Sequence, residues 1–321
     1  MPAIGASSKR SRARIAVVNS LANLAAFAAS DSRQAPFIGR EEELSRLHRA
    51  WDGACGGRCE LIWIAGEPGI GKTRMVEQFV GSLSDVVCAR GHCVEHYGTG
   101  EPYLPVLEAL AALCRFDSSV SGLLRAVAPS WLLQLPWLSS AEERDVRGGE
   151  APRVGVDQML LEMGEFLDRY TQARPLLLVT EDLHWSDRLT IQLIDYIARR
   201  RGSTRLMWLA SFRPADVIVL DHPLNRVRHE LRLNGMCKEV LLDAFSEIEV
   251  ANYVGEHLPS LASDEGFIRA LHERTDGLPL FVASLMSEVV ARAARNADEP
   301  PQLADVAVQT KCNRHHRTLH C

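Results

Sequence analysis

Leu61-Ile62-Trp63-Ile64-Ala65-Gly66-Glu67-Pro68-Gly69-Ile70-Gly71-Lys72-Thr73 is the stretch on which the reading of the whole chain turns. Leu61–Ala65 is a short continuous apolar run, as a strand buried on both faces requires. Gly66 to Thr73 match G-x-x-x-x-G-K-S/T without a mismatch. An amphipathic stretch from Lys72 to about Leu83 leaves the loop. Strand, glycine loop and helix N-terminus in that order make a phosphate cradle. The glycines let successive backbone N–H groups turn inward, and the helix end adds partial positive charge. Lys72 is placed to reach β- and γ-phosphates, and Thr73 to offer its hydroxyl to Mg2+. A chance Gly-rich turn has no such flanking strand and helix.

Working outward, Arg40–Trp51 carries Leu44, Leu47 and Trp51 at helical spacing, and a Gly-rich turn follows at Gly53–Gly57. Val86–Ala89, Leu176–Val179 and Leu206–Ala210 read as further buried strands. Between them lie helical patterns over Leu104–Cys114, on toward Trp137, and over Val154–Tyr170; Ser186 is placed to cap another, with Leu189, Leu193, Ile194 and Ile197 on its apolar face. Strands alternating with helices predict an α/β fold, a parallel sheet sandwiched by helices. The pattern then changes. Ser246 and Glu249 have capping-box spacing, Ser263 opens a second helix, Gly277 ends it, and Pro279 starts a third running to about Arg295. Three helices without strands predict a small all-α unit after the sheet. The expected organisation is a helical or disordered leader at 1–35, the α/β domain at 36–238, the helical unit at 239–298 and a tail at 299–321.

Leu176-Leu177-Leu178-Val179-Thr180-Glu181-Asp182 is an apolar strand ending in two acids. Beside the phosphate loop, such a strand brings one carboxylate to the Mg2+ shell and a second to orient or deprotonate an attacking water. If the strand continues, Glu181 and Asp182 point to opposite faces. The residues leave open which acid takes which role.

The composition constrains the partners. Hydrophobic residues make up 46% and charged residues 24%, with a net charge of −5. Residues 1–14 hold Lys9, Arg10, Arg12 and Arg14 and no acid, so the remainder carries 32 basic against 41 acidic residues, a net −9. An acidic body has no electrostatic footprint for wrapping a duplex. No run approaches the ~20 apolar residues that a membrane helix needs. The eight cysteines form no CxxC pair, which suits reduced thiols in a cytoplasmic protein. Basic residues 9–14 before the apolar run Ile15–Ala29 follow the order of a secretory signal, but Asn19, Ser20 and Asn23 interrupt that run.

Phe37-Ile38-Gly39-Arg40-Glu41, the Gly66–Thr73 loop, Glu181-Asp182-Leu183-His184-Trp185-Ser186-Asp187 and Gly277-Leu278-Pro279-Leu280-Phe281 occur in that order. Together they resemble the AAA-type ATP-binding domain shared by origin-recognition-like ATPases and bacterial signal-transduction ATPases of the STAND class. Cys93–Tyr97 through Tyr103-Leu104-Pro105 resembles the ATPase module of multidomain bacterial transcriptional regulators. The resemblance covers about residues 36–295. It implies ATP and Mg2+ as ligands, with Thr73, Glu181 and Asp182 around the metal. It also implies that Ile38, Gly39 and Arg40 lie against the adenine. Arg213 would be a sensor of the γ-phosphate, and Pro279 part of a helical lid near the base. Such relatives are longer, with a DNA-binding or cyclase effector at one end and helical repeats at the other. Only 35 residues precede the module here and about 26 follow it, so a truncated frame or a stand-alone module is expected.

The leading expectation is slow, Mg2+-dependent ATP hydrolysis that drives a conformational switch. Alternatives are nucleotide binding without hydrolysis, a DNA-associated initiator, and a kinase, for which no acceptor motif stands out. ATP and ADP are the expected partners, with self-association or a regulatory protein left open and no sequence-specific DNA contact or membrane. Cys88, His92, Cys93 and His96 match no common zinc spacing. The tail residues Cys312, His315, His316, His320 and Cys321 lack an apolar surround to fold about an ion. Trp185 reads as packing, and Arg199–Arg201 as cations at a helix C-terminus.

Overall fold

A computed structural model of the chain describes residues 16–18, 37–95, 101–135 and 155–294. The remainder of the leader, His96 and the Cys/His-rich tail lie outside the described residues. In chain order, β1 (Ala16–Val18) is followed by α1 (Glu41–Cys55), β2 (Glu60–Ala65), α2 (Lys72–Ser82), β3 (Val87–His92) and α3 (Leu104–Phe116). Then come α4 (Ser119–Val127), α5 (Pro129–Leu133), α6 (Val156–Ala173), β4 (Leu176–Glu181), a 3-10 turn (Leu183–Trp185) and α7 (Arg188–Arg199). The sheet portion ends with β5 (Leu206–Phe212), α8 (Pro214–Val219), α9 (Pro223–Leu233) and β6 (Lys238–Leu241). The helices α10 (Glu247–His257), α11 (Glu265–Thr275) and α12 (Pro279–Ala293) complete the described chain.

All strand pairs are parallel, in the order β1-β3-β4-β5-β2-β6. The apolar runs that announced the strands are buried on both faces, as parallel pairing demands. Leu61, Trp63, Leu176, Leu178, Leu206 and Trp208 share a core with α3, α6 and α7. The alternate residues Ile62, Ile64, Leu177, Val179, Met207 and Leu209 are buried as well, and α1 packs against β2 and β5. Trp208 Nε1 donates to Thr180 Oγ1 at 3.0 Å, which satisfies a buried polar pair between β5 and β4.

The structure differs from the sequence reading at several points. The acidic strand does not pair with the strand feeding the phosphate loop: β5 lies between β4 and β2. Ala16–Val18, inside the stretch expected as a helical or disordered leader, pair with β3. Lys238–Leu241 pair with β2, so the sheet runs past the expected boundary at 238. Helices α8 and α9 fill a segment for which no element was expected. Asp187, not Ser186, caps α7, accepting from the N–H groups of Leu189 and Thr190. Asp264, not Ser263, caps α11, and Asp276, in the left-handed region, takes the C-cap expected at Gly277.

The described residues divide into two compact units. The first holds 16–18, 40–68, 72–95, 101–135 and 155–242. The second holds 37–39, 69–71 and 243–294. In the second, Val250, Val254, Leu271, Val282 and Met286 form a core of their own. The capping box at its first helix is present: Glu249 N donates to Ser246 Oγ and Ser246 N donates to Glu249 Oε2.

Candidate functional site

The loop after β2 turns through left-handed backbone at Gly69 (φ 77°) and Gly71 (φ 97°), a region that favours glycine. Lys72 opens α2 and is buried. Its Nζ donates to Gly66 O at 2.8 Å and Glu67 O at 3.0 Å. Burial pushes the Lys72 ammonium below its ordinary value and Arg213 adds to this, while Asp182 opposes it. Glu67 and Pro68 are exposed, and Ile70 is buried. Thr73, one residue into α2, donates from Oγ1 to Glu181 Oε2 at 2.7 Å. This bond reaches β4 even though β5 intervenes in the sheet.

Glu181 is the last residue of β4 and is 2% exposed. Its Oε1 lies 3.4 Å from His92 Nε2, an ion-pair distance, and has no hydrogen-bond partner among the described residues. Burial pushes the carboxyl upward, but His92, Thr73 and the charge of Arg90 outweigh it and hold Glu181 below its ordinary value. In turn Glu181 raises His92, against the effect of burial.

His92 is fixed by a close approach. A Cβ on Gly91 would overlap the carbonyl of Pro105, so only glycine lets the start of α3 settle on β3. That packing brings Glu108 to the chain, where its Oε2 accepts the His92 N–H at 2.9 Å.

The strand stops at Glu181, so the alternation of faces does not carry over to the next residue. Asp182 adopts left-handed backbone (φ 57°) and donates its N–H to Ser211 Oγ at 3.1 Å. Aspartate tolerates this conformation better than most side chains. Burial raises the Asp182 carboxyl, with Arg213 and Lys72 opposing. Arg213 follows β5 directly, and its Nη1 is 3.5 Å from Asp216 Oδ2. His184, 1% exposed, sits with Nε2 3.5 Å from the same oxygen and Nδ1 4.0 Å from Asp182 Oδ1. Burial first, then the charges of Arg213 and Lys72, push its imidazole down to about 3.

The structure thus brings Lys72, Thr73, Glu181, Asp182 and Arg213 to the carboxyl ends of β2, β4 and β5, where ligands bind in open parallel sheets. The remaining expected residues belong to other settings. Ile38 packs on the core of the second unit. Gly39 (φ 65°) has Glu249 where a Cβ would stand. Arg40, the N-cap of α1, places Nη1 3.3 Å from Glu43 Oε1. Pro279 is the first residue of α12, and the next residue, Leu280, donates its N–H to Gly69 O at 3.1 Å within the second unit. Sequence reasoning gave no role to His92, Glu108, Ser211, His184 or Asp216. Of these, the two histidines were visible, one in the cysteine–histidine cluster and one after the acid pair, but nothing in the sequence brought His92 to Glu181 or His184 to Asp216.

Hydroxyl and carboxylate oxygens at Thr73 and Glu181 form a hard donor set, which suits Mg2+. Glu181 Oε1, the other oxygen, lies 3.4 Å from His92 Nε2, a setting that favours the ionised carboxylate that a cation requires.

A parallel sheet whose glycine loop closes on a buried lysine, with the following threonine bonded to a strand-end carboxylate, defines a phosphate-loop nucleotide-binding fold. The chain belongs to the AAA ATPase domain family, whose model matches residues 36–209, more than half of its length. It is similar to an uncharacterized protein of Rhizobium meliloti (strain 1021), 22% identical over 201 residues, covering 56% of this chain and 19% of that protein. The chain therefore spans about a fifth of the length of the curated relative it matches. Among solved structures it is similar to the Walker-type ATPase PABY2304 of Pyrococcus abyssi, with TM-score 0.48, 17% identity and coverage of 82% of this chain and 69% of that one. It is also similar to Cdc6p of Pyrobaculum aerophilum, with TM-score 0.47, 11% identity and coverage of 82% and 64%. A further similar structure is the STAND protein PH0952 of Pyrococcus horikoshii, which carries a tetratricopeptide-repeat sensor, with TM-score 0.45, 14% identity and coverage of 79% and 30%. Among the described residues, no helix is long and apolar enough to cross a membrane.

Proposed function

We propose that this chain is the ATP-binding module of a STAND-class signal-transduction ATPase, hydrolysing ATP slowly with Mg2+ and using the nucleotide state as a conformational switch. The observation that carries the reading is the Thr73–Glu181 hydrogen bond at 2.7 Å beside the loop lysine. It joins the phosphate loop to a strand-end acid by a hydroxyl and a carboxylate, the kind of oxygen donors that contribute to the shell of a phosphate-bound Mg2+.

On this reading the loop N–H groups and Lys72 hold the phosphates, and Lys72 gives up the carbonyls of Gly66 and Glu67 to do so. Thr73 and Glu181 hold Mg2+, which when bound neutralises charge across the β- and γ-phosphates. Glu181 is thereby the metal-side acid. Its low proton affinity keeps it ionised at neutral pH. Asp182, raised by burial, orients the attacking water and takes its proton. Arg213 stabilises charge on the γ-phosphate from the end of β5. Pro279 and the helices of the second unit report the nucleotide state.

Phosphate release measured with and without Mg2+, and with and without DNA, tests the chemistry. Lys72-dependent, Mg2+-dependent and DNA-independent release is the expected result. Stimulation by DNA that persists at physiological salt would favour an initiator-like role. Hydrogen exchange across residues 263–294, measured apo, with ADP and with a non-hydrolysable ATP analogue, tests the switch. Identical protection in all three states would leave a nucleotide-binding module without one.

A further inference from the structure

We propose that Asp216 and His184 set the preference for ATP over ADP: Asp216 is the partner that Arg213 gives up for a γ-phosphate, and His184 is the positioning residue that keeps Asp216 in place. This inference rests on the phosphate-loop ATPase reading above.

Arg213 is under-bonded among the described residues. Its Nη1 lies 3.5 Å from Asp216 Oδ2, and its buried Nε has no hydrogen-bond partner. A committed guanidinium–carboxylate pair closes to about 2.7–2.9 Å, often through two parallel bonds. The Arg213–Asp216 contact is longer and single. Both side chains are also about one-third exposed, at 31% and 34%, which weakens the attraction further. The arginine is therefore held by charge without being fixed by geometry. The pair lies within electrostatic range of the loop lysine, since the charges of both Arg213 and Asp216 act on Lys72.

His184 fixes the other side of Asp216. It is 1% exposed, yet neither ring nitrogen has a hydrogen-bond partner among the described residues. A buried imidazole left so is costly, because its ring nitrogens lose water without gaining a hydrogen bond. Both nitrogens nevertheless face carboxylates: Nε2 toward Asp216 at 3.5 Å and Nδ1 toward Asp182 at 4.0 Å. Arg213, Asp216, His184 and Asp182 thus form a chain of near-contacts in which one carboxylate oxygen, Asp216 Oδ2, lies 3.5 Å from both Arg213 Nη1 and His184 Nε2. When Arg213 turns to a phosphate oxygen, Asp216 still has the His184 ring beside it at 3.5 Å. ADP offers no γ-phosphate, so only ATP competes with Asp216 for Arg213. The free energy of the Arg213–Asp216 contact is then subtracted from ATP affinity and leaves ADP affinity alone.

The test is calorimetric binding of ADP and of a non-hydrolysable ATP analogue to the full chain. Asp216→Asn should raise the ATP-to-ADP affinity ratio by about fivefold, a coupling at the low end of the range for linked sites. The same substitution in an Arg213→Ala background should leave the ratio unchanged. His184→Phe, which keeps an aromatic ring without nitrogens, should raise the ratio by less, and His184→Gln should restore it toward the wild type. Thermal unfolding identifies any variant that fails to fold; Asp216→Ala then stands in for Asp216→Asn, and His184→Asn for His184→Phe. An unchanged ratio in a folded Asp216 variant overturns the inference while leaving the ATPase reading intact. Equal tightening with and without Arg213 also overturns it, since that is a bare charge effect. A wild-type chain that binds neither nucleotide overturns the ATPase reading and this inference with it.

Discussion

The two flanks of the site differ in how completely their side chains are bonded. On one flank, Lys72, Thr73 and Glu181 close on their partners at 2.7–3.0 Å. On the other, Asp182, His184, Arg213 and Asp216 approach one another only at 3.5–4.0 Å. The first flank is held in place before any ligand arrives, so that Lys72 need only exchange its loop carbonyls for phosphate oxygens and Thr73 and Glu181 already lie together. The second keeps donors uncommitted, which suits groups whose partners appear only with a particular nucleotide. One sheet supports both, because the loop after β2 returns to the start of its own helix while β4 ends in a 3-10 turn and β5 passes through Arg213 into a short helix.

The largest expected effect is on the loose flank. Asp182→Asn should lower turnover by about 100- to 10,000-fold, the range for loss of a general base, with little change in the Mg2+ concentration required. A variant that retains full turnover would show that Asp182 is structural and would remove the chemical distinction between the flanks.

Next comes the tight flank. Lys72→Ala should weaken ATP binding by about tenfold to a hundredfold, as expected for one lost charge-assisted contact of about 1.5–3 kcal/mol. Thermal unfolding should still be cooperative. Unchanged ATP affinity by calorimetry would break the phosphate-loop assignment.

Glu181→Gln sharpens the contrast between the two acids. It should raise the Mg2+ concentration needed for half-maximal nucleotide binding by about tenfold, whereas Asp182→Asn should not. If both variants shift the Mg2+ requirement equally, the division of roles between the acids is lost.

A last test, read in stability rather than in ligand binding or turnover, concerns how the tight flank is built. Gly91→Ala places a methyl group against the carbonyl of Pro105. It should cost about 1–3 kcal/mol of stability, as overpacking does. For a domain of this size that is a melting shift of about 2–4 °C per kcal/mol. A neutral substitution would show that α3 is free to move away from β3, and that Glu108 and His92 do not need that seat.

Much of this was legible because the residues concerned act locally. The Gly66–Thr73 loop requires only its own glycines and a helix start, and both are written contiguously. The four central strands announce themselves as apolar runs because they are buried on both faces. Edge strands carry a weaker signal. β1 has three residues, and β6 reads Lys-Glu-Val-Leu, of which only Val240 is buried. Neither resembles a core strand, and both become strands only because a neighbouring strand offers unpaired backbone.

The caps show the same limit at finer grain. Ser186-Asp187 and Ser263-Asp264 each offer two adjacent cap residues of nearly equal intrinsic preference. At the first, Asp187 is selected in a setting the sequence cannot display: its Oδ2 also accepts the N–H of Tyr103 at 3.0 Å, from 84 residues away.

What the sequence by itself determined, then, is the phosphate loop, the parallel α/β character, the presence of two acids at a strand end and the run of helices after the sheet. All of these follow from contiguous residues and their periodicity. Only the tertiary structure decided that β5 stands between the loop strand and the acidic strand, that Glu181 rather than Asp182 meets Thr73, and that His92, His184 and Asp216 face the acids and Arg213. Thr73–Glu181, His92–Glu181 and His184–Asp216 join residues far apart in the chain, while Arg213–Asp216 and Asp182–His184 are near neighbours whose side chains meet through the local fold after β5 and β4. The packing of α3 on Gly91 and the left-handed turn at Asp182 settle them, and neither leaves a periodic trace in the sequence.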